Sequence, residues 1–250
     1  MSVWQGLLVL FAGVCAGTIN TVVGSGTLIT FPVLLGVGLS PVTANVSNTV
    51  GLFPGSFVGA YGYRRELSGQ RDRAVRLGTA AILGGLLGAV LLLVLPAGAF
   101  KAIVPVLIVL ALVLVVFGPA LTRRLAHTKH RPRAEVTPLL WLVTFGTGVY
   151  GGYFGAAQGV LLMGFLGLLL AEPLQRQNAL KNVLAGLVNL VAAVVFVATG
   201  HVDWVAAGLI AGGSMVGAMV GAKVGRRLPP SALRAVIVVV GVAAIVKLVV

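Results

Sequence analysis

Residues 17–27 read Gly-Thr-Ile-Asn-Thr-Val-Val-Gly-Ser-Gly-Thr, a run of small and polar residues inside an otherwise apolar stretch. Glycine lets the backbone leave the helical conformation, and a helix that restarts near Thr27 exposes N–H groups that have no acceptor within the helix. At mid-membrane these N–H groups and the helix dipole attract an anion. The run therefore predicts a broken membrane helix with an anion site at the break.

The stretch from Phe11 to Gly55 recurs without a gap 134 positions later, so that Phe31 matches Phe165 and Asn48 matches Asn182. The second copy has its own glycine-rich interruption at residues 151–159. Broken segments at matching positions of two halves are typical of transporter substrate sites. The alternative interpretation is that these small residues only allow helices to pack closely.

The composition places the chain in a bilayer. Hydrophobic residues make up 58%, charged residues 9%, and the mean hydropathy is +1.08. Apolar runs recur at the ~20-residue length of a spanning helix, which predicts an all-α polytopic membrane protein with the lipid bilayer as its surroundings. The net charge of +13 lies in short loops between apolar runs, which argues against a nucleic-acid partner.

The chain divides into a first membrane repeat at 1–119, a basic linker at 120–137 and a second membrane repeat at 138–250. Each repeat contains four apolar segments, the first of which is long enough to be broken in two. The predicted segments are Trp4–Leu39, Val42–Tyr63, Ala74–Leu95 and Ala99–Phe117, then Pro138–Ala171, Pro173–Thr199, Val202–Val224 and Ser231–Val250.

All basic residues except Lys101 and Lys247 fall in or beside four loops: between the second and third segments, in the linker, between the fifth and sixth segments, where Arg176 and Lys181 lie, and between the seventh and eighth segments. Basic loops favour the cytoplasmic side. Placing all four there requires each broken segment to begin and end on one side, and it predicts two inverted repeats with about ten membrane segments. Some of these segments would be re-entrant half-helices.

Polar residues at the breaks and in the segments that follow them are the candidate substrate ligands. We expect the matched amides Asn48 and Asn182 to face one another across a pseudo-twofold axis, although amides can also join helices structurally. The candidates are Asn20, Gly24, Ser25, Gly26, Thr27, Asn45, Asn48, Gln158, Gly159, Asn178, Lys181 and Asn182.

Two cations in the second repeat allow different interpretations. Lys181 could supply positive charge to an anion, or it could extend its flexible side chain to the cytoplasmic interface. Arg176 is better explained as an interface charge.

No Asp, Glu or His lies well inside a predicted segment. Intramembrane hydrolysis, metal binding and carboxylate proton relays need such groups at depth. The sequence therefore predicts no enzyme activity, no catalytic residue, no metal site and no cofactor.

Residues 17–66 resemble the leading motif of the TauE/SafE sulfite exporters, and the resemblance covers almost the whole chain. It consists of Asn20-x-x-x-Gly24-x-Gly26, then Thr30-Phe31-Pro32, a Gly-Leu-Ser-Pro turn at 38–41, the Ala44/Asn48 pair and the exit Tyr63-Arg64-Arg65. The second half departs from the family at Ala157-Gln158-Gly159, where a more glycine-rich run is common, and at Leu166, which replaces the proline.

The resemblance implies export of small sulfur-containing or organic anions across the cell membrane. Alternating access between the two repeats is the main hypothesis, and a passive anion channel or a non-transporting membrane subunit are the alternatives. The sequence leaves open whether the chain forms a homo-oligomer.

Overall fold

A computed structural model describes residues 1–126, 135–199, 202–224 and 239. These residues form α-helices and no strands, which confirms the all-α prediction for the described part of the chain. The last predicted segment, Ser231–Val250, lies outside the described residues apart from position 239. The helices are α1 (Val3–Val22), α2 (Thr27–Gly36), α3 (Pro41–Gly62), α4 (Arg71–Val94), α5 (Ala97–Ala126), α6 (Pro138–Tyr153), α7 (Gln158–Leu169), α8 (Leu174–Thr199) and α9 (Trp204–Val224).

Both long segments that were predicted to be broken consist of two helices, α1 with α2 and α6 with α7. Helix α5 continues to Ala126, past the expected end at Phe117 and into the predicted linker. The sequence from Leu121 to Ala126 has no glycine or proline and is rich in Leu, Arg and Ala, which favour a helix. Part of the linker, residues 127–134, lies outside the described residues.

Four of the helices in the described part of the chain are, by length and composition, long and apolar enough to cross a membrane: α1, α4, α8 and most of α9. Helices α2 and α7 have only 10 and 12 residues, or about 15 and 18 Å at 1.5 Å per residue, whereas the hydrocarbon core is ~30 Å thick. Neither short helix can span alone. Ten membrane segments and inverted repeats remain predictions.

Helices of the first half of the chain, α1–α5, pack mainly against helices of the second half, α6–α9. Helix α9 packs against α1 and α3, and α4 packs against α6 and α8. Glycines bring the backbones together: a Cβ at Gly17 would lie 2.2 Å from the Ser214 carbonyl oxygen, and one at Gly88 would lie 2.1 Å from that of Val149. For Gly17 the close-packing interpretation is therefore correct.

An aromatic cluster packs against the two breaks. The ring of Phe31 on α2 meets the ring of Phe154 at the second break edge to face, with centroids 5.3 Å apart. Phe100 on α5 lies 6.2 Å from Phe154 by the same measure. All three side chains are buried. They exclude water from one side of the junction and fix α2 against the second half of the chain.

Candidate substrate site

The first break spans residues 23–26, between α1 and α2. Gly24 has a φ of +90°, in the left-handed region that favours glycine. A Cβ at this position would also lie 2.3 Å from the Cα of Gly159. Both requirements explain why the chain has glycine here.

The second break spans residues 154–157, between α6 and α7, and touches the first. Gly155 and Ala157 have φ values of +76° and +59°. A Cβ at Gly159 would lie 2.4 Å from the Cα of Gly24, and the Gly159 N–H donates a 2.9 Å hydrogen bond to the Gly24 carbonyl oxygen. The two glycine-rich runs that the sequence singled out therefore meet backbone to backbone.

The first turn of α7 has its N–H groups occupied. Gln158 N–H donates to the Gly155 carbonyl oxygen at 3.2 Å, Gly159 N–H donates to that of Gly24, and Val160 N–H donates to that of Ala157 at 3.0 Å. These bonds satisfy amides that a helix N-terminus ordinarily leaves free. The second break is thus closed by backbone carbonyls.

The N-terminus of α2 is different. The first backbone hydrogen bonds of this turn are donated by Leu28 to Ser25 and by Ile29 to Gly26. Within the described residues, no acceptor receives the N–H groups of Ser25, Gly26 or Thr27. The N-cap residue, Gly26, has no side chain that could accept them. This break keeps unpaired donors at the positive end of a helix dipole.

Several buried polar atoms around the breaks have no hydrogen-bond partner in the described structure. Proteins leave few such atoms, because each costs free energy unless a ligand or water satisfies it. Two are donors at the breaks themselves, one on each side: Ser25, which is 1% exposed, and Gln158, which is 3% exposed. The atoms are Ser25 Oγ, Gln158 Nε2, Asn45 Oδ1, Asn178 Oδ1 and the Tyr153 hydroxyl oxygen.

Asn48 fastens α2 to α3. Its Nδ2 donates to Thr27 Oγ1 at 3.1 Å, and its Oδ1 accepts a hydrogen bond from the Thr30 hydroxyl. Asn182 instead donates to the Thr21 carbonyl oxygen at 3.3 Å, in the last turn of α1. No hydrogen bond joins the two asparagines in the described structure. Their observed partners fit bracing of the broken helices.

The carbonyl end of α1 collects donors from α8. Lys181 Nζ donates to the carbonyl oxygens of Asn20 at 2.8 Å and Thr21 at 3.2 Å, and Asn178 donates to that of Thr21 at 3.2 Å. Asn20 holds its own side chain against α3 by donating to Ser56 Oγ at 3.3 Å. A cation at a helix C-terminus is stabilised by the dipole.

Lys181 is fully buried, with 0% of its surface exposed. Its side-chain stem lies against the junction, since a Cβ at Gly159 would be 2.9 Å from Lys181 Cδ. The interface interpretation of Lys181 is therefore wrong in this structure, because the carbonyl oxygens of Asn20 and Thr21 on α1 hold the ammonium inside.

The second break has a matching cap. Asn45 on α3 donates through Nδ2 to the carbonyl oxygen of Tyr153, the last residue of α6, at 3.0 Å. Each half therefore supplies amides to the carbonyl end of the other half's broken helix. The sequence predicted that these amides lie near the breaks, but it did not show that each amide caps a broken helix of the other half. Thr30 and the carbonyl of Thr21 were missed, although Thr27 and Thr30 are spaced to share a helix face.

Arg176 lies away from this junction, in an ion cluster that joins the start of α4 to the loop before α8. Its Nε lies 2.5 Å from Glu172 Oε2, and Arg73 pairs with the other carboxylate oxygen. Burial acts to raise the pKa of Glu172, but hydrogen bonds from Arg73 and Arg176 outweigh it and hold that pKa below its ordinary value. Arg176 is a surface charge that ties the halves together.

The described residues contain no cluster of three or more His, Cys, Asp or Glu that could hold a metal ion. The junction instead offers neutral donors and one ammonium.

Comparison with known proteins identifies the family of the chain. The family model for the sulfite exporters TauE/SafE matches residues 9–248. The chain belongs to the TauE/SafE family. Together with its apolar helices, this makes it a membrane protein of a transporter family.

Curated relatives are similar over most of their length. The chain is 24% identical to the probable membrane transporter protein YfcA of Escherichia coli K12, over 96% of this chain and 88% of the relative. It is 27% identical to a probable membrane transporter protein of Haemophilus influenzae, over 84% and 81%, and 31% identical to the probable membrane transporter protein ORF9 of a Sinorhizobium species, over 62% and 60%. No solved structure gives a significant match.

Proposed function

We propose that this TauE/SafE protein exports a small oxyanion of the sulfite or sulfonate class across the cell membrane, and that the anion binds where the two breaks meet. The observation that carries the proposal is the N-terminus of α2, where unpaired N–H groups adjoin the unpartnered, buried hydroxyl of Ser25. A negatively charged oxygen satisfies such donors, and the helix dipole adds attraction.

The charge at the junction supports the same class of substrate. Lys181 is buried beside Gly159, and its hydrogen-bond acceptors are backbone carbonyls rather than a carboxylate. The dipole at the end of α1 offsets only about half an elementary charge. A bound anion would balance the remainder, whereas a cation would meet repulsion at both Lys181 and α2.

A sulfite or sulfonate head has several oxygens that can accept hydrogen bonds at once. Gly26 and Thr27 would donate from the backbone, and Ser25 and Gln158 would donate from their side chains. Asn45, Asn48, Asn178 and Asn182 would hold the broken helices in place and would not need to touch the substrate.

Export follows from the membrane potential. A potential that is negative inside drives each negative charge outward by ~2.3 kcal/mol per 100 mV. If the two halves are inverted repeats, as the loop charges predict, alternate exposure of the junction would follow from movement of one half against the other.

Transport in proteoliposomes tests this proposal. Vesicles that hold the purified protein are loaded with labelled sulfite or sulfoacetate, and efflux is followed with and without an imposed potential. We expect saturable efflux that speeds up as the loaded side becomes negative, together with counterflow when unlabelled anion is outside. Efflux without counterflow would support a passive channel, and absence of flux for every anion would support a non-transporting subunit.

A matched pair of variants ties the flux to the junction. Ser25→Ala removes a hydroxyl that has no partner among the described residues, so we expect reduced flux from a normally folded protein. Ser68→Ala removes an exposed hydroxyl from the loop before α4 and should leave flux unchanged. Equal flux from both variants would remove Ser25 from the site.

A further inference from the structure

A second basic region lies at the far ends of α3 and α9, outside the junction. A cavity of about 280 Å³ opens there, lined by Gly62, Arg64, Arg65, Glu66, Ala222 and Lys223. Its size approaches the ~300 Å³ at which small-ligand sites begin. Gly62 and Ala222 bring the two helix ends together, since a Cβ at Gly62 would lie 2.4 Å from that of Ala222.

The cations of this cavity differ from three basic residues that pair with carboxylates elsewhere in the described chain. Arg73 and Arg176 pair with Glu172, and Arg76 pairs with Asp72 at 3.0 Å. None of the ion pairs among the described residues involves Arg64, Arg65 or Lys223. Three cations thus face one cavity in which Glu66 is the only carboxylate among the described lining residues.

The hydropathy of α9 indicates that the cavity lies at the level of the membrane surface. The apolar span of α9 ends at Lys223, one of the lining residues. Tyr61 is 68% exposed beside it, and the Arg64 guanidinium lies 4.6 Å from the centre of its ring. Exposed tyrosines are typical of the headgroup layer. Just before the cavity, Met219 and Val220 on α9 are also exposed, which gives a path for acyl chains.

We propose that this cavity binds the phosphate headgroup of an anionic phospholipid. Arg65 and Lys223 would contact the phosphate, Arg64 would remain stacked on Tyr61, and the acyl chains would lie along the apolar face of α9. Basic pockets between membrane helices are known headgroup sites, and each cation near an anionic surface contributes about 1 kcal/mol. The site is independent of the substrate junction and of the transported anion.

The carbonyl ends of α3 and α9 attract the same cations, so the test must separate lipid binding from stabilisation of the helices. Purified full-length protein in detergent is melted with added phosphatidylglycerol or phosphatidylcholine. We expect phosphatidylglycerol to raise the melting temperature by roughly 3 °C or more over phosphatidylcholine.

The deciding variants carry equal charge changes. Arg65→Gln with Lys223→Gln should weaken phosphatidylglycerol binding roughly 30-fold, from two contacts. Arg71→Gln with Arg76→Gln, which removes two exposed charges outside the cavity, should keep the lipid-dependent shift. Equal loss of the shift in both variants would show diffuse surface attraction and overturn the site. An equal shift from inorganic phosphate would show a soluble anion site and would overturn the lipid assignment.

Discussion

Both helix breaks contain residues in the left-handed backbone conformation, but they leave different groups free. At the second break, carbonyls of Gly24 and Gly155 occupy the first N–H groups of α7. At the first break, the N–H groups before and at Thr27 stay unpaired beside the buried hydroxyl of Ser25. The difference teaches that two breaks at matching sequence positions need not leave the same groups free: carbonyls occupy the donors at the second break, and the donors at the first break have no acceptor among the described residues.

The largest effect is expected at the contact between the breaks. Gly159→Ala would place a Cβ 2.4 Å from the Gly24 Cα, and the backbone there cannot move aside without separating the helices. We expect loss of folded protein, measured by size-exclusion chromatography and thermal unfolding. Gly38→Ala is the control: Gly38 has a φ of +98° but nothing within 4 Å of an added Cβ, so it should cost only about 1–3 kcal/mol. Equal damage from both changes would show that strain and not contact matters.

Lys181 provides the next test. Its side chain lies beside Gly159 at the second break, and its ammonium caps the carbonyl end of α1, which precedes the first break. Lys181→Met removes two charge-assisted hydrogen bonds to α1, each worth about 1.5–3 kcal/mol. We expect lower thermal stability and loss of anion-dependent stabilisation. Arg71→Met, at the exposed start of α4 and outside both proposed sites, should leave anion binding unchanged. If Lys181→Met binds the anion as tightly as the wild type, the ammonium has no role in the site.

The paired asparagines should differ in their effect on stability. Asn48→Ala leaves Thr27 and Thr30 without their partner on α3, so we expect a loss of about 1–3 kcal/mol and abolished transport. Asn182→Ala should cost less stability, because the Thr21 carbonyl keeps donors from Asn178 and Lys181, but it should also abolish transport. Thermal unfolding and proteoliposome flux measure both. Normal flux from both folded variants would contradict a bracing role for either amide.

Much of the fold could be predicted from the sequence. Apolar runs of spanning length located α3, α4, α8 and α9, and the glycine runs located both breaks, since these signals are local. The difference between the breaks could not be predicted, because it depends on the Gly24 carbonyl, which points at a residue 135 positions away. The burial of Lys181 was equally hidden: its carbonyl acceptors lie on α1, and a flexible side chain carries no sequence signal for its direction.

The smallest expected effect is at Gln158, whose side-chain amide is a donor beside the second break. Its Nε2 has no partner in the described structure, so Gln158→Met should not lower the stability of the ligand-free protein. We expect weaker anion binding by about tenfold, the value of one hydrogen bond to a charged group. Isothermal calorimetry measures it. An unchanged affinity would mean that the second break contributes nothing to the ligand.

Thermal unfolding is the most direct test of an anion site at the first break. It compares the purified wild type, Ser25→Ala and Ser68→Ala in the presence of sulfite, thiosulfate, sulfate, taurine, sulfoacetate and simple carboxylates. A ligand that binds the folded state raises the melting temperature. The account predicts that one class of these anions stabilises the wild type and Ser68→Ala but stabilises Ser25→Ala much less. The same stabilisation in all three proteins would contradict it.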